Sequence, residues 1–158
     1  MKAATLRELK NELGTVEKKQ LLDLCLRLSK YKKDNKELLT YLLFEAHDEQ
    51  GYIASIKREI DEQMSALNRN NLYYTKKGLR KILRTAAKFI RYSGQKETAV
   101  EVLIYFCSEV KHSGIPIQRS KVLINMYEMQ LKKIRTALAT LHEDLQYDYK
   151  MELEQLEL

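Results

Sequence analysis

The first residues to test for chemistry are the three histidines and the acids beside them. Glu45, His47, Asp48 and Glu49 lie together, and His142, Glu143 and Asp144 form a similar cluster. A metal site on a helix needs ligands on one face, a turn apart, as in H-E-x-x-H, and neither cluster supplies two histidines at that spacing. Both read as polar caps or solvated helix faces. His112 precedes a Ser-Gly break, where a helix C-terminus favours a cation. Carboxylate pairs such as Glu59 with Asp61 have the makings of acid–base chemistry, but with 22 acids in the chain such pairs abound. Pairs like Lys57 with Asp61 and Glu128 with Lys132 fit ordinary i to i+4 attraction on a helix. The phosphate loop G-x-x-x-x-G-K-[ST], the dinucleotide fingerprint G-x-G-x-x-G and the nucleophile elbow G-x-S-x-G are all missing. Cys25 and Cys107 stand far apart, in LLDLCLRL and LIYFCSEV, and read as buried reduced thiols rather than a redox or zinc pair. No catalytic, cofactor-binding or metal-binding residue is assigned, and the sequence leans away from an enzyme.

One surface is distinctive. In TKKGLRKILRTAAKFIRY, residues 75–92, Leu79, Ile82, Leu83, Ala86 and Ile90 recur at helical spacing. Lys76, Lys77, Arg80, Lys81, Arg84, Lys88 and Arg91 fall on or beside the opposite arc. Between residues 63 and 96 there are nine Lys or Arg and no acid, although the whole chain is only +6. The segment predicts an amphipathic helix with one face in a core and a cationic face outward. Such a face suits phosphates, with Tyr73, Tyr74 and Tyr92 placed to stack on bases. It equally suits a protein partner, plain solvation, or the acidic end of the same chain.

The elements that must position this helix read from caps and breaks. One Pro, five Gly and 32% charged residues are the composition of long helices, and no strand pattern appears. Thr5 with Glu8 fits a capping box before a short helix ending near Gly14. Thr15 is expected to cap a second helix, in which Leu21, Leu22, Leu24, Cys25, Leu26 and Leu28 occupy nearly every side. So wide an apolar surface predicts the centre of a bundle. Asp34 with Glu37 suggests another capping box before LLTYLLFEA. A fourth helix carries Ile53, Ile56, Ile60, Met64 and Leu67, joined to the third by a break or a kink at Gly51. Asn68, Asn70 and Asn71 separate it from the basic helix, and Ser93-Gly94 ends that one. A wide apolar helix follows over 96–111. After Pro116 the pattern predicts one long helix over 118–147, whose Leu131, Ile134, Leu138, Leu141 and Leu145 are spaced like a self-association seam.

Offsetting the chain by 61 residues lays LLDLCLRLSKY on ILRTAAKFIRY and suggests two related helical hairpins, a short stack of the α-solenoid kind. The hairpin LLDLCLRLSKYKKDNKELLTYLLFEAHDE, followed by KKGLRKILRTAAKFIRYSG, also resembles a family of small all-helical bacterial proteins of uncharacterised function, of the Bacteroidetes type. That resemblance implies a helical fold over most of the chain and brings no catalytic or cofactor motif.

The expectation is an all-α protein of six or seven helices in antiparallel hairpins, forming one domain over 1–147 with an acidic tail over 148–158. Leu24, Cys25, Leu28, Leu42, Leu83, Ile90, Leu103 and Ile104 are its expected core. No run approaches the roughly 18 apolar residues of a membrane span, nor does the start have a signal-peptide core, so a cytoplasmic location is expected. The expected role is a helical interaction module binding a protein or its own copy, with nucleic acid as the alternative.

Overall fold

The computed structural model describes residues 1–158, and the chain is helical throughout, with no strand. Eight α-helices run in order: α1 Leu6–Thr15, α2 Lys18–Tyr31, α3 Lys33–Thr40, α4 Glu49–Ser65, α5 Leu72–Ser93, α6 Lys96–His112, α7 Lys121–Leu138 and α8 Glu143–Glu154. A π-helical turn, Tyr41–Glu45, follows α3, and a 3-10 turn, Ile117–Arg119, precedes α7. No helix is long and apolar enough to cross a membrane. The chain divides into two compact units, Met1–Phe44 and Glu45–Leu158. α8 runs past residue 147 to Glu154.

In Met1–Phe44, the Thr5–Glu8 capping box forms as expected: the Thr5 hydroxyl accepts from the Glu8 amide at 3.3 Å, and the Glu8 carboxylate accepts from the Thr5 amide at 2.7 Å. The next two caps differ from expectation. Thr15 belongs to the last turn of α1, where its hydroxyl donates to the Glu12 carbonyl, and α2 starts after Glu17 without a side-chain cap. Likewise α3 starts after Lys32, one residue before Asp34. α2 and α3 pack as a hairpin, fastened where the Asn35 side-chain Nδ2 donates to the Leu28 carbonyl at 2.8 Å. No side chain of α1, α2 or α3 is fully buried. Leu24, Cys25, Leu28 and Leu42, expected in the core, are therefore exposed, Leu28 by 61%. The physical reason is geometric: a two-helix hairpin covers only one strip of each helix, whereas the leucines of α2 spread around most of its circumference.

Glu45–Leu158 holds the core. α4 opens on Asp48, whose carboxylate accepts from the Gly51 amide at 3.0 Å. A Cβ on Gly51 would lie 2.2 Å from that carboxylate, so glycine here serves the cap and not a kink. Asn71 caps α5 by accepting from the Tyr73 amide, and Gly94, at φ +70°, closes α5 in the left-handed conformation. α6 is central and packs on α4, α5, α7 and α8. Its Val100, Val102, Leu103, Ile104, Phe106, Cys107 and Val110 are buried, together with Ile53, Ile56 and Ile60 of α4, Leu79, Ile82 and Ala86 of α5, and Leu123, Tyr127, Leu131 and Ile134 of α7. Of the eight expected core residues, Leu103 and Ile104 are buried, and Leu83 and Ile90 are half-buried beside an open groove.

The long helix expected over 118–147 is two helices, which is why the count reaches eight. α7 ends at Leu138, the chain turns over 139–142, and α8 comes back against α6 and α7. The return is fixed by the Tyr127 hydroxyl donating to the Leu156 carbonyl at 2.8 Å, and by Lys111 Nζ donating to the carbonyls of Gln155 and Glu157. Burial of Leu153 and Leu156 is the gain, which a projecting straight helix would forgo.

Candidate protein-interaction groove

Between α5, α6 and α7 lies an open groove of about 850 Å³. Leu83, Ala87 and Ile90 of α5, Leu103 of α6, and Met126 and Met129 of α7 give it an apolar lining, and Arg80, Arg84, Arg91 and Lys133 line it as cations. All four cations are exposed, as is Met129, by 56%.

The groove is held open by what fixes α5 and α6 behind it. Thr75, Leu79, Ile82 and Ala86 anchor the inner side of α5. The Tyr52 hydroxyl donates to the Phe89 carbonyl at 3.0 Å, and the hydroxyls of Ser93 and Thr98 both donate to the Glu49 carboxylate, tying the α5–α6 corner to α4. On the far side of α6, Glu101 accepts from Lys57 at 3.2 Å and from the Tyr149 hydroxyl at 3.1 Å. Burial and the neighbouring Glu101 push the Tyr149 phenol well above the usual tyrosine range, so it stays a hydrogen-bond donor. The Tyr105 hydroxyl donates to Asp61 at 2.6 Å, and burial, then that carboxylate, pushes its pKa above the usual tyrosine range.

The seven cations singled out from the sequence do not all line the groove. Arg80, Arg84 and Arg91 line the groove. At about 100° per residue, Lys77, Lys81 and Lys88 lie further round α5, and Lys76 is half-buried near its start. Lys88 Nζ sits 5.3 Å from the Phe89 ring centroid. Neither Arg80, Arg84, Arg91 nor Lys133 is within ion-pair distance of an acid of this chain. The acidic C-terminus, one of the candidate coverings for the basic face, engages α6 and α7 instead, with Arg135 meeting Glu157 at 2.6 Å.

The seam residues are distributed differently from expectation. Leu131, Ile134 and Leu138 are buried on α7, Leu141 falls in the turn, and Leu145 is half-buried on α8. The apolar spacing faces the interior of this unit on both sides of a reversal. The histidine clusters occupy helix starts: His142 caps α8 and His47 precedes α4. No group of three or more His, Cys, Asp or Glu side chains lies close enough to hold a metal ion.

Sequence reasoning missed the α7 wall of the groove. Its signal is present as Met126, Met129, Gln130 and Lys133, at i, i+3, i+4 and i+7, one face of a helix that the seam does not use. Comparison with protein-family models, curated proteins and solved structures finds no match to this chain.

Proposed function

We propose that the protein is a non-enzymatic interaction module whose α5–α6–α7 groove takes an acidic amphipathic helix of a protein partner. The observation that carries the reading is the pairing of an apolar floor with uncompensated cations at its edges. A helix laid in such a groove buries its apolar ridge while its flanking carboxylates meet Arg80, Arg84, Arg91 and Lys133. Two methionines in the lining suit this role, because their flexible thioether side chains repack against different ridges. The apolar floor favours a helix over a nucleic acid, whose backbone would meet the cations and leave the leucine and methionine surface wet. The 61-residue offset belongs to the same reading: it relates α2–α3 to α5–α6 as two hairpins of one pattern, of which the second carries the groove.

The test uses fluorescence anisotropy with a labelled synthetic helix bearing leucines at i, i+3 and i+4 between glutamates. Micromolar binding, lost on Arg80→Glu with Arg84→Glu and absent for a lysine-flanked control helix, is the expected result. A labelled DNA duplex measured beside it separates the two classes. Tight duplex binding, with log affinity falling by about 0.9 per phosphate contact against log salt, and no binding of the acidic helix would replace this reading by the nucleic-acid one.

A further inference from the structure

The outer face of α8 has the chemistry that the groove asks for. Viewed down the helix at about 100° per residue, Tyr147 and Met151 form a ridge, with Glu143 and Glu154 on one side of it and Asp144 and Asp148 on the other. All six are exposed, Tyr147 by 69% and Met151 by 50%, while Leu153 on the opposite side is buried. This is an apolar ridge flanked by two pairs of acids, with Lys150 at the outer border of the glutamate side, and it complements an apolar floor between cations. The lengths agree as well. Arg80 to Arg91 spans about 16 Å of α5 and α8 about 18 Å, at about 1.5 Å per residue.

We infer that the groove of one molecule receives the outer face of α8 from a second copy, in head-to-tail assembly. The inference rests on the groove reading above and names this chain itself as an occupant. A molecule does not fill its own groove with its own α8. Met126, Met129, Gln130 and Lys133 face the groove from α7, whereas Arg135 and Leu138, about half a turn round, border α8. On α6, Ala99 and Leu103 face the groove, whereas Glu101 and Tyr105 lie on the side where Tyr149 reaches Glu101. Donor and acceptor surfaces thus sit on opposite sides of α6 and α7, so the contact is heterologous and propagates into open chains or closed rings rather than stopping at a two-fold dimer.

Sedimentation velocity of the full chain, from micromolar to near-millimolar concentration, reads this directly. The expected result is a weight-average mass that rises with concentration beyond that of a dimer and falls back as salt is added. Asp148→Arg and Arg84→Asp should each weaken the association about tenfold or more, and the double variant should regain most of it, since the exchanged charges again attract. Both side chains are exposed, and unchanged helical circular dichroism checks that the fold survives. If the chain stays monomeric throughout while the synthetic acidic helix still binds, self-docking is overturned and the groove reading stands. If neither associates, both fall. Association indifferent to Asp148→Arg also overturns the inference, because the copies would then be meeting elsewhere.

Discussion

Cys107 is fully buried on α6, and burial pushes its thiol from the usual 9.0 up to about 12, because a thiolate there would have lost its water. Cys25 is exposed on α2. A thiol reagent at neutral pH should therefore modify Cys25 promptly and Cys107 only once the protein unfolds, which mass spectrometry of the labelled protein distinguishes; equal labelling of both under native conditions would contradict the packing of α6. The same burial sets a pH dependence. The unfolded chain releases the Cys107 proton near 9 and the folded chain near 12, so the stability this group contributes is complete below pH 9 and is lost as the pH rises toward 12. Urea unfolding at pH 8 and above pH 10 should show the gap between the native protein and Cys107→Ala narrowing at the higher pH. Beside it, Phe106 has no exposed surface, and Phe106→Ala should cost about 3–5 kcal/mol in the same assay.

α8 is the element that departs furthest from what its sequence suggests. The 3–4 leucine spacing runs unbroken through Leu138, Leu141 and Leu145, and neither proline nor glycine marks the turn over 139–142. A periodic stripe records which side of a chain is apolar, and it is silent on whether the chain doubles back, since both arms bury the same kind of residue. That choice comes from tertiary partners: the Leu156 carbonyl under Tyr127 and the pocket for Leu153. Leu153→Ala should accordingly destabilise the unit by about 2 kcal/mol or more. Arg135→Ala, which removes an ion pair half-open to water, should cost less than about 1 kcal/mol. Chemical denaturation of the two variants checks the ordering, and the reverse order would mean that charge, not apolar burial, holds α8. Other elements were legible where the signal is local. The Thr5–Glu8 box, the asparagine break before α5 and the Gly94 stop all rest on groups within a few residues of one another. The groove was legible only on its α5 side, because the pairing of α5 with Met126, Met129 and Lys133 is fixed by packing around α6.

At the scale of the whole molecule, the two units differ in kind. Glu45–Leu158 encloses a core around α6, whereas Met1–Phe44 displays Leu22, Leu26, Leu28, Leu42, Leu43 and Phe44 to solvent. An apolar surface of that extent should bind a hydrophobic dye such as ANS. Replacing Leu24, Leu28 and Leu42 together by Ser should cut the dye fluorescence severalfold, while the urea unfolding of the core unit is unchanged; undiminished fluorescence would mean that the dye reports another surface. The groove lies in the other unit, and the five methionines of the chain test it directly. With methyl-labelled methionine, Met126 and Met129 report from the groove, Met64 from the interior of α4, Met151 from the outer face of α8, and Met1 from the chain start. Titration with the glutamate-flanked synthetic helix should move the Met126 and Met129 methyl resonances in a saturable way and leave Met64 in place. Saturating helix with Met126 and Met129 unmoved would contradict the groove as the site where this protein meets its partner.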